Sequence, residues 1–176
     1  MAKLIAELGI NHNGSFSKLK RLIDSANDAS VYAVKFQYRR NSKAFFTPDL
    51  EMGSTLIKDE LKETFLSDSK YLKSFFYARK LGLKVGVSFF RKKDIEHLSK
   101  KFLFDFIKIP SAEALNFDLI KEAKRNSKSI IISIGGTSWD DLKLLKRKIS
   151  FRKNDCILYC ISNYPTALDA VNLSFI

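Results

Sequence analysis

The chain has 176 residues, 45% of them apolar and 12% aromatic, enough for one domain with a real core and too apolar for a disordered segment. No apolar run approaches the roughly 18 to 20 residues that a membrane helix needs, and Met1-Ala2-Lys3 leads straight into a strand with no secretory apolar region, so the expected location is cytoplasmic. The net charge of +12, from 31 basic and 19 acidic residues, raises the question of nucleic acid. The cations are scattered, however: Lys18, Lys20 and Arg21 fall on one predicted helix, Lys70, Lys73, Arg79 and Lys80 on another, and Lys143, Lys146, Arg147 and Lys148 on a third. That distribution reads as solvated helix faces on a protein that handles anionic small molecules, with neither nucleic acid nor membrane as a partner.

Strand-length apolar segments alternate with segments of helical period along the chain. A first strand over 3–10 carries Glu7 in its middle and breaks into Asn11, His12, Asn13 and Gly14, residues that favour turns. A helix over 16–29 places Leu19, Leu22, Ile23 and Ala26 on one face. A second strand follows over 31–38. Residues 39–65 form a long irregular insertion containing Pro48 and Gly53, expected to be a loop over one end of the sheet. A helix over 68–81, stopped by Gly82, precedes a strand over 84–89, a short helix over 93–101 and a strand over 105–110. Asn116 is expected to cap a helix over 117–126. A strand over 129–134, a helix over 139–149 capped by Thr137, and a strand over 156–161 complete the pattern. Five β-α repeats closed by a sixth strand predict one domain with a parallel sheet. An open sheet and a barrel, which normally has eight strands, are both compatible with that periodicity.

Cys156 and Cys160, the only cysteines, are four residues apart, roughly 13 Å along a strand, too far for a disulfide. They are expected to be reduced core thiols without a zinc site.

Polar residues collect at strand ends, where α/β proteins place ligands. Strand alternation puts Lys35 and Gln37 on one face of the second strand, Ser111 and Glu113 at the end of the fourth, Ser133 before Gly135-Gly136 in the fifth, and Ser162 and Tyr164 beyond the sixth. Each has a bland alternative: Lys35 can snorkel, Ser111 and Ser133 can cap helices, Glu113 can be a loop carboxylate and His12 a turn residue, and His97 is expected on the surface. Together, a lysine and two carboxylates at one end of a sheet are unfavourable to bury unless paired or used, and an anion held by Lys35 and hydroxyls would resolve that.

Five stretches resemble the sialic acid synthase family, the phosphoenolpyruvate-dependent nonulosonate synthases: Ala6–Gly14 (AELGINHNG), Ala33–Gln37 (AVKFQ), Phe106–Glu113 (FIKIPSAE), Ile131–Gly135 (IISIG) and Cys160–Thr166 (CISNYPT), with Val171-Asn172-Leu173 after them. They occur in the family's order and cover essentially the whole chain. The resemblance implies a (β/α)8 barrel of the TIM type, here about six strands and five helices of it over residues 1–176, without the remaining strands and the antifreeze-like domain that usually follows. It implies condensation of phosphoenolpyruvate with an N-acetylated amino sugar such as N-acetylmannosamine, releasing phosphate. Lys35 would bind the phosphoenolpyruvate anion, Ser111 and Ser162 would donate to phosphate oxygens, and Gln37 would line the substrate side. Glu7 and Glu113 would be the catalytic carboxylates, Tyr164 would contact the sugar, and Asn11 and His12 would shape the floor of the site.

The sequence also departs from the family pattern. A divalent metal of the manganese type is implied, yet neither His12 nor His97 matches the two histidines that usually hold it, so no metal ligand is assigned in this chain. Ser88-Phe89-Phe90 stands where a Thr or Ser pair is usual, and Ile134 where Thr is common. The expectation is a truncated or split synthase that works with a complementing chain or as a homo-oligomer. The alternative is a non-catalytic remnant that binds an anionic ligand or pairs with an intact homologue.

Overall fold

Six strands and five α-helices alternate along residues 2–40, 63–163 and 165–175, the part of the chain described by this computed structural model. The chain divides into two compact units, Met1–Val87 and Ser88–Ile176.

In the first unit, β1 (Ile5–Gly9) and β2 (Ala33–Gln37) pair in parallel, with Ile5 opposite Ala33 and Glu7 opposite Lys35. Between them α1 (Phe16–Asp28) is capped by Ser15, whose hydroxyl accepts from the Lys18 N–H at 3.3 Å. Its Leu19, Ile23 and Ala26 are buried. Val34 and Phe36 of β2 are fully buried, and Phe36 meets Phe75 of α2 (Asp68–Lys80) edge-on at 4.9 Å. Gly82, at φ +86, closes α2 as expected, its N–H reaching Arg79 O at 3.0 Å. β3 (Lys84–Ser88) follows. Most of the long insertion, residues 41–62, lies outside the described residues.

In the second unit, α3 (Lys92–Ser99) leads to β4 (Phe104–Ile109), α4 (Phe117–Arg125), β5 (Ser127–Ser133), α5 (Trp139–Lys148) and β6 (Cys156–Leu158). β4 pairs β5 and β5 pairs β6, both in parallel. Ile107, Ile109, Ile130 and Ile132 share one buried face, joined in the core by Leu119, Ile120 and Ala123. Phe89 is also fully buried, edge-on to Phe104 at 5.6 Å, so the position where the family pattern has a hydroxyl is core here. Asn116 caps α4 as expected, accepting from Leu119 N–H at 3.0 Å.

Several expectations are corrected. Ser138, not Thr137, caps α5: its hydroxyl and the Asp141 side chain form a reciprocal capping box, while the Thr137 hydroxyl donates to Ile134 O at 2.5 Å. β6 has three residues rather than six, and Cys156 is exposed rather than in the core. The reason is position: β6 is the last strand in the sheet order and pairs with β5 alone. His97, expected on the surface, is partly exposed.

One polar cluster fixes β6 against β5. The Asp155 side chain is fully buried. It accepts from Ile130 N–H at 2.9 Å and Arg152 N–H at 2.8 Å, and its Oδ1 pairs with the Arg152 guanidinium at 3.0 Å. The same guanidinium donates to the carbonyls of Lys124 and Ser127 at 3.1 and 3.0 Å. Burial by itself would raise the Asp155 carboxyl. The Arg152 guanidinium and the backbone N–H groups of Arg152 and Ile130 outweigh it and hold the carboxyl below the usual range. Removing one partner of a buried pair strands the other, so Asp155→Ala is expected to lower stability by about 3 kcal/mol. Urea denaturation checks this, and a loss under about 1 kcal/mol would mean that the cluster is not a structural clamp.

Candidate functional site

In the first unit the parallel register sets Glu7 beside Lys35, and Glu7 Oε2 and Lys35 Nζ form an ion pair. The two side chains differ in exposure, 52% for Glu7 and 12% for Lys35. The lysine side chain is largely enclosed, while the half-exposed carboxylate reaches it from the solvent side. β1 is irregular between Glu7 and Gly9. Gly9 sits at φ +47, and a side-chain carbon added there would lie 3.2 Å from Glu7 Oε1. Glycine both permits the backbone turn and leaves the carboxylate room.

Beyond β1 the chain folds back through Asn11, which is exposed and whose N–H reaches Leu8 O at 3.0 Å. Gly14 adopts φ +69, and a side-chain carbon there would lie 2.4 Å from the Glu63 carbonyl oxygen, so only glycine fits. His12 is fully buried in this turn. Its Nδ1 accepts from Gly14 N–H at 3.2 Å, and its Nε2 lies 3.4 Å from the Tyr71 hydroxyl. Tyr71 donates its own proton to the Gln37 carbonyl at 2.9 Å. These bonds are mutually consistent only if His12 is neutral with its proton on Nε2. Burial first, and Lys18 second, lower its pKa from 6.5 to about 4. Burial likewise raises Tyr71, against the opposing charge of Arg39. The relay fixes the end of β2, where the half-buried Gln37 follows two residues after Lys35.

In the second unit, β4 ends at Ile109, and Ser111–Glu113 forms a 3-10 turn. Strand alternation therefore does not set the directions of Ser111 and Glu113, a correction to the sequence reading. Ser111 does not cap a helix. Its Oγ accepts from Gly135 N–H at 3.1 Å, leaving its own proton available to a ligand. β6 ends at Leu158, so alternation does not place Ser162 either, and Tyr164 lies outside the described residues. Ser162 nevertheless converges with Ser111 over Gly135. A side-chain carbon added to Gly135 would lie 2.4 Å from Ser162 Oγ, 3.0 Å from Ser111 Oγ and 3.2 Å from the Cys160 carbonyl oxygen. Two residues earlier, Ser133 is buried and its hydroxyl has no protein hydrogen-bond partner among the described residues. A buried hydroxyl in that state is unfavourable and is a common mark of a ligand or water site. Ser133 does not cap a helix either. Glu113 Oε2 accepts from the Asn116 side chain at 2.7 Å.

The sequence reading missed Lys108. It is half-buried in β4, whose one other charged residue is Asp105, and the register with Ile131 puts it on the same sheet face as Ser133. A lone lysine in the run FDFIKI was the available signal. It was passed over because the opposite alternation had been carried through Ile109 to Ser111.

Among the described residues no group of three or more His, Cys, Asp and Glu side chains could hold a metal ion. Both ring nitrogens of His12 are engaged within the turn. These residues do not fit the divalent metal that the resemblance implies. Among the same residues, no helix is long and apolar enough to cross a membrane.

The fold matches that of a solved N-acetylneuraminic acid synthetase from Leptospira borgpetersenii, with a TM-score of 0.82 and 26% identity over 98% of this chain and 58% of that one. The class is α/β of the (β/α)8 barrel type, represented among the described residues by six strands and five helices. A family model described as the NeuB family matches residues 22–176, and the chain belongs to that family. It is 28% identical to the N-acetylneuraminate-9-phosphate synthase of Homo sapiens over 98% of its own length and 50% of that protein. It is 29% identical to the N,N'-diacetyllegionaminic acid synthase of Campylobacter jejuni over 97% of its length and 54% of that protein. The chain thus spans about half the length of the curated relatives it matches.

The buried neutral His12 has a consequence for stability. Folded, it takes a proton only near pH 4; unfolded, it does so near pH 6.5. Its contribution is therefore complete above about pH 6.5 and declines as the pH falls towards 4, because the unfolded chain binds the proton first. In His12→Gln this part of the pH dependence is expected to vanish. Urea midpoints of both proteins at about pH 7 and about pH 4.5 check it: the gap between them should narrow on acidification. Parallel behaviour would show that His12 is not held neutral.

Proposed function

We propose that this chain supplies the phosphoenolpyruvate-binding part of a nonulosonate synthase, which condenses phosphoenolpyruvate with an N-acetylated amino sugar such as N-acetylmannosamine and releases phosphate. The observation that carries the reading is the Gly135 cradle: two hydroxyls, Ser111 and Ser162, converge over the space left by a missing side chain, and the buried Ser133 hydroxyl, without a hydrogen-bond partner among the described residues, lies two residues away. Hydroxyl donors set on a glycine backbone suit a phosphate oxygen. Family membership and the names of the relatives support the same chemistry.

In this reading C3 of the enol attacks the sugar aldehyde carbon, water adds at C2, and the tetrahedral intermediate expels phosphate as the C–O bond breaks. Ser111 and Ser162 donate to phosphate oxygens and Ser133 adds a third donor. Lys35 binds the phosphoenolpyruvate anion, and Lys108 is a cation on the same sheet face as Ser133. Glu113, with Oε2 held by Asn116, keeps its other oxygen for proton transfer, a role shared with Glu7. Gln37 and Tyr164 belong to the sugar side, and Asn11 and His12 hold the turn beneath it. The reading includes a cytoplasmic protein whose synthase is completed by residues beyond those here, in the same polypeptide or in a complementing one.

Gly135→Ala drives a methyl group onto both hydroxyls and is expected to weaken phosphoenolpyruvate binding by about tenfold or more while the fold persists, as one lost charged hydrogen bond already would. Calorimetry against the unchanged chain measures it, and equal affinity rejects the cradle. Phosphate release from phosphoenolpyruvate and N-acetylmannosamine, with Mn²⁺ present and the complete synthase assembled, tests the activity itself. Binding without release would leave the alternative, a non-catalytic protein that retains the anion site.

A further inference from the structure

The Glu7–Lys35 pair is asymmetric in a way that the catalytic reading does not require. Lys35 is enclosed, its side chain only 12% exposed, and the parallel register sets it beside Glu7. Glu7 is half-exposed and reaches Nζ through Oε2. Its other oxygen lies against the space left by Gly9, where a side-chain carbon would stand only 3.2 Å away. Nothing pins this carboxylate. Leaving Lys35 returns Glu7 to water at little loss, since half-exposed ion pairs are weak. The lysine, with a largely enclosed side chain, cannot turn to water in the same way. A phosphate or carboxylate group of a ligand makes stronger charge-assisted hydrogen bonds to an ammonium than a solvent-screened side chain does.

We propose that Glu7 is a displaceable counter-ion: an anionic ligand binds Lys35 by taking its ammonium from Glu7, and the Glu7 carboxylate becomes unpaired only once the anion is seated. This rests on the reading of Lys35 as an anion-binding residue. Before binding, the pair keeps a poorly solvated cation neutralised. After binding, a carboxylate is released within reach of the ligand just taken up, so that proton transfer by Glu7 waits for the substrate. The order of events is set by competition for one cation, without any movement of the backbone.

A competing side chain, unlike a contacting one, tightens binding when it is removed. Calorimetry with phosphoenolpyruvate, and separately with inorganic phosphate, on the unchanged chain, Glu7→Gln and Lys35→Ala makes the test. The amide keeps the shape of Glu7 without its charge, and Glu7→Gln is expected to bind phosphoenolpyruvate about three- to tenfold more tightly, the range that a partly exposed ion pair can withhold. Lys35→Ala is expected to bind at least about tenfold more weakly. If binding depends on Lys35 but Glu7→Gln binds equally or more weakly, the counter-ion idea is wrong and the proposed function stands. If inorganic phosphate follows the expected pattern while phosphoenolpyruvate does not bind, the counter-ion stands and the substrate assignment falls. Binding that ignores Lys35, or none in any chain, overturns both.

Discussion

The second unit depends on a carboxylate that water does not reach. The Asp155 side chain is fully buried, and four donors from two residues converge on it: the backbone N–H groups of Ile130 and Arg152 and two edges of the Arg152 guanidinium. Arg152 in turn holds the carbonyls of Lys124 and Ser127, at the end of α4 and the start of β5. A three-residue strand at the end of a sheet order has few ladder bonds of its own. The cluster substitutes for them and sets where the segment after β6 begins. Ser162, four residues beyond the end of β6, lies next to Gly135. An ion pair of this kind need not add net stability over an apolar replacement, but it fixes one arrangement among many.

Each unit uses the same economy of means. An apolar parallel strand is laid down by β-branched and aromatic residues, and a glycine at its end lets polar groups come close. Gly9 does this for Glu7, Gly14 for the turn under residues 63–65, and Gly135 for two serines. Parallel α/β architectures gather their chemistry at these ends because the strand interiors are sealed by helices. The His12 relay belongs with these devices. A histidine held neutral by burial is a poor cation and a good connector, passing one hydrogen bond in and one out between the β1 turn, α2 and the last carbonyl of β2.

The order of elements is legible in the sequence because period 3.6 and period 2 apolar patterns alternate cleanly, and every described α-helix and strand lies where that pattern puts it, to within a few residues, whereas the 3-10 turns at Ser111–Glu113, Leu168–Ala170 and Leu173–Phe175 leave no such signal. Family motifs made Lys35, Ser111 and Glu113 visible as candidates. What escaped were features made by tertiary neighbours. Alternation was carried past Ile109 into a 3-10 turn, which turned attention to the wrong face of β4 and hid Lys108. The cap of α5 was assigned to Thr137, one residue early, because a threonine and a serine in succession carry equal local signal and only the reciprocal bond with Asp141 separates them. That Cys156 would be exposed could not be read from its apolar neighbours, since the pattern does not say which strand ends the sheet. The convergence of Ser111 and Ser162 on Gly135 joins residues 51 positions apart (111 to 162), a distance no local pattern spans.

The bond from Gly135 N–H to Ser111 Oγ does more than orient a side chain. The amide occupies one lone pair of Oγ and narrows the directions left to the hydroxyl proton. Any oxygen with a lone pair brought to that side can accept it. Neither the amide nor the hydroxyl titrates near neutral pH. The donor therefore keeps its orientation as the acidity of the medium changes.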